Sequence, residues 1–380
     1  MAARRLYRGK MDTKRTEFGC RGSRDKVGVL LAQLGTPDAP TPAALRPYLR
    51  QFLSDRRVIE VNRVLWWVLL NGLILVTRPR RSARLYKRIW GADGSPLLTI
   101  TRKQTHGMRE RLQSRYPQIE VEFGMRYGRP SLESAVDALI EKGCSKILLF
   151  PMYPQYAAAT TASTYDAVFP HVLKRRWVPT LRVAEPYFAH PQYIQAQAKI
   201  INDHIAKLPW KPERLVLSYH GVPEKYVTKG DPYCCQCVET TAALLPQIKL
   251  DPDQVIHTFQ SRFGRDPWLR PYTDETFEEL GHAGVKRIAV VAPGFTADCL
   301  ETLDELGNEG EEQFHEGGGE QYSLIPCLND NPVWLDAMAS IIRDELGSWV
   351  EGEARNVRDC EIRCPLKELA ACEEKIKKVA

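Results

Sequence analysis

His220 closes the apolar run LVLSYH and is followed at once by Gly221, Val222 and Pro223, so an imidazole stands at a strand tip where the chain must turn sharply. Further on, the stretch ADCLETLDELGNEGEE places Glu301, Glu305 and Glu309 at four-residue spacing, with Asp298 one turn upstream. On a helix these carboxylates share a face. A solvated acidic surface is the ordinary reading of such a row, but two features argue for chemistry. Like charges at this spacing repel and destabilise an isolated helix, and the row starts directly after an expected strand end, where ligands gather in open α/β sheets. Gly307 and Gly310 also make a poor regular α-helix, and a widening of the π type, frequent at functional sites, would bring every fourth residue into register. Imidazole and carboxylate are borderline-to-hard ligands suited to a first-row divalent cation such as Fe²⁺, and so sparse a set points to a metal in transit. The same groups could move protons, since histidine titrates near neutrality and clustered carboxylates hold protons more tightly.

Short apolar runs alternating with amphipathic stretches must position these groups, and that alternation predicts βαβ units and parallel sheets. The expected strands fall into two sets of four. Val27 to Leu34, Ile119 to Gly124, Lys146 to Phe150 and Leu181 to Glu185 form the first; Arg214 to Tyr219, Val255 to Gln260, Arg287 to Ala292 and Tyr322 to Pro326 form the second. Helical periodicity fills the gaps, as in Ser131 to Lys142, Gln192 to Lys207, Asp274 to His282 and Pro332 to Leu346. The halves divide near Phe188 to Gln192.

At 380 residues and 43% hydrophobic content the chain can fill two cores of ordinary domain size. Its 53 basic and 47 acidic residues leave a charge of +6, enough to favour anionic carboxylates or an anionic lipid surface. No basic-plus-aromatic module supports nucleic-acid binding. Ten unevenly spread cysteines are not the disulfide framework of a small secreted domain. Residues 1–25 carry Arg4, Arg5, Arg8, Lys10, Lys14 and Arg15 with no apolar stretch behind them, which argues against a secretory signal and for a mobile basic tail on a cytoplasmic protein. The segment Val64 to Val76, VLWWVLLNGLILV, is shorter than the roughly 20 residues of a membrane span. It fits a buried core helix, or a half-exposed lip resting on a membrane surface, because two tryptophans begin it and a row of arginines and lysines follows it. There is no Walker loop, GxGxxG, HExxH or GxSxG, so nucleotide binding and the hydrolase and protease chemistries of those motifs have little support.

The motifs LLAQLGTPD, FPMYPQYAAATTAST, LSYHGVP, KGDPY, QSRFGRDPWLRPYTDE and APGFTADCLETLDE, in this order from about Lys26 to about Trp349, together resemble the protoporphyrin ferrochelatase family in its bacterial form. The resemblance implies an α/β fold of two Rossmann-like domains, each a four-stranded parallel sheet flanked by helices. It divides the chain into a tail at 1–25, an N-terminal domain with the apolar lip at 26–188, a C-terminal domain with the metal- and proton-handling residues at 189–349, and a second tail at 350–380. It implies insertion of Fe²⁺, as substrate, into protoporphyrin IX to give protohaem, with peripheral contact at the inner face of the membrane. By motif, His220 resembles the family's active-site histidine and Glu301 the carboxylate facing it across the macrocycle. Glu305 and Glu309 resemble the acids thought to conduct metal or protons, and Leu34, Arg126, Tyr127, Tyr153 and Trp268 those packed around the porphyrin.

Two positions depart from parts of the family. Cys299 stands where certain relatives have a histidine, and Ala158 where animal enzymes have a cluster-ligating cysteine. A two-iron two-sulfur cluster on Cys234, Cys235 and Cys237, its fourth ligand from Cys360, Cys364, Cys372 or another site, stays open beside free thiols. A chelatase acting on coproporphyrin or another tetrapyrrole, and a haem carrier with His220 as axial ligand, also stay open.

Overall fold

A computed structural model describes residues 26–264 and 266–351. The expected tail at 1–25 and most of that at 350–380, with Cys360, Cys364 and Cys372, lie outside the described residues. All eight expected strands form. β1 (Lys26–Thr36), β2 (Ile119–Gly128), β3 (Cys144–Pro151) and β4 (Thr180–Val183) make one sheet in the order β2-β1-β3-β4. β5 (Arg214–His220), β6 (Val255–Gln260), β7 (Arg287–Val291) and β8 (Gln321–Leu324) make a second in the order β6-β5-β7-β8. Every pairing is parallel. β1 is buried along nearly its whole length, as a parallel strand covered on both faces must be, and so it reads as a continuous apolar run. The strands β4 and β8 stop short of their expected ends at Glu185 and Pro326.

The first half carries α1 (Pro42–Ser54), α2 (Arg63–Leu69), a π-helical turn Leu70–Ile74, α3 (Leu75–Ile89), α4 (Pro96–Gln113), α5 (Leu132–Glu141) and α6 (Ser163–Leu173). The second carries α7 (Pro191–Ile205), α8 (Glu224–Thr228), α9 (Tyr233–Leu244), α10 (Thr273–His282), α11 (Gly310–Glu316), α12 (Pro332–Leu346) and α13 (Ser348–Glu351). One apolar core is continuous across both halves, joining Val29 and Leu31 of β1, Leu217 of β5, Tyr193 of α7 and Trp334 of α12. Helix α12 packs on α7 and also on α4, which ties the last long helix to the first sheet. The outer face of each sheet has its own core, around Leu30 and Val136 in one and Val216 and Phe277 in the other.

Helices α1 to α3 form a separate layer over the end of the first sheet, packed around Leu45, Leu53, Leu75 and Tyr127. Here the two readings of Val64 to Val76 separate. Leu70 and Leu75 face inward, whereas Val64, Leu65, Trp67, Val68, Leu73 and Val76 are exposed, Trp67 at 66%. The segment is a lip and not a core helix. Among the described residues no helix is long and apolar enough to cross a membrane.

The tip of β1 depends on one glycine. Gly35 has φ +112°, and a Cβ there would stand 1.7 Å from the carbonyl oxygen of Tyr127 on β2, so no side chain fits without parting the strands. Gly35→Ala should lower unfolding stability by about 2–4 kcal/mol in a denaturant titration; an unchanged midpoint would show that the strand tips are not held this closely.

Candidate active site

The carboxyl ends of both sheets open onto one cavity of about 940 Å³, near the upper end of the ~300–1,000 Å³ usual for small-molecule sites. Strand tips deliver much of its lining. Leu34 comes from the end of β1, Tyr153 follows β3, His220 ends β5, and Ser261 follows β6. The lip adds Trp66, Ile74 and Arg78, and the segment after β6 adds Phe263 and Trp268, whose rings lie 4.9 Å apart. Gly221 is what lets the chain turn after His220: its N–H donates to the Gln260 carbonyl at 2.8 Å, and a Cβ there would press on that oxygen at 2.8 Å and on the Trp268 ring at 3.1 Å. A lining in which aromatic and aliphatic side chains stand beside charged groups suits a planar aromatic ligand that carries polar substituents.

His220 Nδ1 lies 2.7 Å from the Gly221 carbonyl oxygen. A carbonyl only accepts, so Nδ1 donates and Nε2 is the nitrogen able to take a further proton. The carboxylate row lies on a π-helix, Glu301–Glu309. With bonding to the fifth residue along, a turn holds more than four residues, and positions four apart stay nearly in line. Glu301, Glu305 and Glu309 all line the cavity. Donors from neighbouring elements reach the helix carbonyls, Gln260 Nε2 to Glu301 at 2.8 Å and the Tyr322 hydroxyl to Leu306 at 2.5 Å. Gly310 fits beneath that hydroxyl, where a Cβ would meet it at 2.9 Å. The expected π widening and its glycine are therefore real features of the fold.

Not every acid of the segment is free for chemistry. Asp304 accepts from Arg88 at 3.0 Å and from Asn308 at 2.9 Å. Asp298, expected to share the acidic face, is buried and structural: Asn329 Nδ2 donates to it at 2.6 Å and Thr302 Oγ1 at 3.0 Å. Glu305 is different. Burial pushes its carboxyl up to about 7, Glu301 adds to the rise, and hydrogen bonding from Ser261 and Gln260 pulls against it.

The structure brings Leu34, Tyr153, Trp268, His220, Glu301, Glu305 and Glu309 to one cavity. Arg126 and Tyr127 are not among the residues that line it. The Arg126 guanidinium donates to Asp55 at 2.6 Å and to Ser163, and the Tyr127 hydroxyl donates to Asp55 at 2.8 Å. Burial opposes the charge on Asp55, yet bonds from Ser163, the Arg57 N–H and Tyr127 together with Arg126 hold it below the usual carboxylate range. These two residues brace the lip against the sheet. Two guanidiniums line the cavity: Arg262, which is paired with Asp274 and Glu275, and Arg78, exposed at its edge, which has no acceptor among the described residues. Its only signal in the sequence was membership of the basic row after the lip.

Cys234, Cys235 and Cys237 lie on α9, where each residue turns by about 100°. Cys237 is fully buried in the core, Cys235 is exposed, and Cys234 is intermediate. Burial pushes the Cys237 thiol well up, against the thiolate form a cluster needs. Cys234 and Cys237, three residues apart, share a face of the helix while Cys235 faces away, and among the described residues no three such ligands gather to hold a metal ion.

Paired parallel sheets meeting over a ring-walled cavity, with an imidazole and a carboxylate row inside it, define a protein of the chelatase class. The solved structure of SirB from Bacillus subtilis with Fe³⁺ shares this fold at a TM-score of 0.52 and 15% identity, covering 87% of this chain and 98% of that one. The ferrochelatase family model matches residues 26–346. Ferrochelatases of Brucella ovis and of Brucella suis biovar 1 are each 50% identical over 327 residues, 86% of this chain and 93% of theirs. The chain belongs to the ferrochelatase family.

The raised Glu305 carboxyl has a consequence for stability. The folded state keeps a proton up to about pH 7 that the unfolded chain releases above its ordinary 4.5, so this group destabilises the fold increasingly as pH rises through that window. Glu305→Gln should raise stability at pH 8 by on the order of 2 kcal/mol and by much less at pH 5, in paired thermal melts. Equal gains at both pH values would contradict the shift.

Proposed function

We propose that the chain inserts Fe²⁺ into protoporphyrin IX to give protohaem, with His220 and the Glu301 row acting on opposite faces of the macrocycle. The observation that carries this reading is the sharing of one cavity by His220, Glu301, Glu305 and Glu309. Family membership supports the metal and the porphyrin as substrates. Metallation replaces two pyrrole protons by one dication, so the site must accept two protons and strip water from the ion. His220 Nε2 is placed to take a pyrrole proton. The carboxylates supply oxygen ligands that replace water around Fe²⁺ as it enters, and a group such as Glu305, near neutrality in its protonation, can pass a proton onward. Arg78 is the cation suited to a porphyrin carboxylate, through a charge-assisted bond at the edge of the cavity.

The exposed face of the lip supports a second element of the reading, a peripheral seat on a membrane surface. Trp67 with Val64, Leu65 and Val68 forms the apolar face, and Arg80, Arg81, Arg84 and Lys87 follow on α3. That pairing of aromatic, aliphatic and basic groups suits an anionic bilayer interface. A hydrophobic porphyrin could then pass between membrane and cavity without crossing water.

His220→Ala should reduce metallation by Fe²⁺ or Zn²⁺ at least ~100-fold while porphyrin still quenches tryptophan fluorescence; turnover at the wild-type rate would remove the histidine from the mechanism. Leu65→Glu with Trp67→Glu should abolish flotation with anionic vesicles and leave metallation in detergent intact. Continued flotation would locate membrane contact elsewhere.

A further inference from the structure

The strand tip beside His220 holds a backbone conformation that serine seldom adopts. Ser261, directly after β6, has φ +68°. Among the described residues the one other non-glycine residue with positive φ is Asn329, a type that tolerates the left-handed region; serine has no such ease. Strain of this kind persists where surrounding structure holds it and often marks a functional site. What it achieves here is visible: Ser261 Oγ donates to Glu305 Oε2 at 2.6 Å.

The neighbouring residue extends the link. Gln260 is buried, and its Nε2 donates to the Glu301 carbonyl while its Oε1 accepts from Ser218 Oγ at 2.9 Å. Ser218 Oγ in turn lies 2.8 Å from Thr273 Oγ1, which donates to Thr258 Oγ1 at 2.8 Å. A buried polar chain thus runs from the second sheet to the π-helix. Gln260 ends that chain on the Glu301 carbonyl, and the adjacent Ser261, by its own bond, sets how the Glu305 carboxylate is turned.

We propose that Ser261 is a positioning residue for metal delivery, its left-handed backbone aiming the hydroxyl that holds the Glu305 carboxylate in one orientation toward the incoming ion. The proposal rests on the assignment of Glu305 to metal handling. A carboxylate already oriented loses less rotational freedom when it replaces water on a cation.

Ser261→Gly deletes the hydroxyl and at the same time relaxes the backbone, so loss of function is separated from loss of fold. Ser261→Asn returns a donor on a residue at ease with positive φ. With Zn²⁺ and porphyrin as probes, Ser261→Gly should raise the KM for metal about tenfold, the scale of one hydrogen bond to a charged acceptor. The KM for porphyrin should stay unchanged and the unfolding midpoint should equal or exceed that of the wild type. Ser261→Asn should recover most of the loss, and adding Ser261→Gly to Glu305→Gln should bring no further loss. An unchanged metal KM in Ser261→Gly, with Glu305→Gln impaired, would overturn the positioning role and leave Glu305 standing. Additive losses in the double variant would show that Ser261 acts through some other group. A Glu305→Gln enzyme with normal metal KM would overturn both assignments together.

Discussion

Carboxylates spaced four residues apart on one helix repel each other, and the site depends on how that repulsion is contained. Arg88 neutralises Asp304, and Asn329 and Thr302 bind Asp298 into the structure. Burial shifts Glu305 toward its neutral form near pH 7, which removes part of the negative charge without a counter-ion. Glu301 and Glu309 remain toward the cavity. A partly protonated acidic row is a suitable path for a dication, because an entering cation can displace the proton that kept the row stable. The π-helix makes this arrangement persist, since its wider turn keeps the row in line and its carbonyls are met by Gln260 and Tyr322.

The two halves share an architecture and divide the work. From the first come the lip, Leu34, Tyr153 and Arg78, which make up much of the apolar wall and its one free guanidinium among the described residues. From the second come the imidazole and the carboxylates. Neither half encloses the cavity alone, so the continuous core through Tyr193, Leu217 and Trp334 and the grip of α12 on α4 set its width. Close-packed interiors of this kind have low compressibility and transmit strain.

Much of this was legible in the sequence, for identifiable reasons. Parallel strands buried on both faces leave aliphatic runs such as VGVLLAQL, so all eight strands could be placed. Like charges combined with Gly307 and Gly310 announced an irregular acidic helix. What lay outside its reach was side-chain direction. Arg126 and Tyr127 do follow the expected core of a strand at its tip, but Asp55, distant in sequence, draws both away from the cavity. The lip could not be told from a core helix because its composition serves either. The cysteine run does not say which thiols share a face; α9 turns Cys235 to solvent and Cys237 into the core, and nothing in a one-letter code reports that Ser261 has a positive φ.

His220 and Glu301 are proposed to address opposite faces of one bound macrocycle. A crystal structure of the enzyme with a metal-free porphyrin tests it most directly. The ring should sit between the lip and Trp268, with His220 Nε2 above the pyrrole nitrogens and the Glu301 carboxylate beneath them. A porphyrin bound outside this cavity, or one with both side chains on the same face, would contradict it.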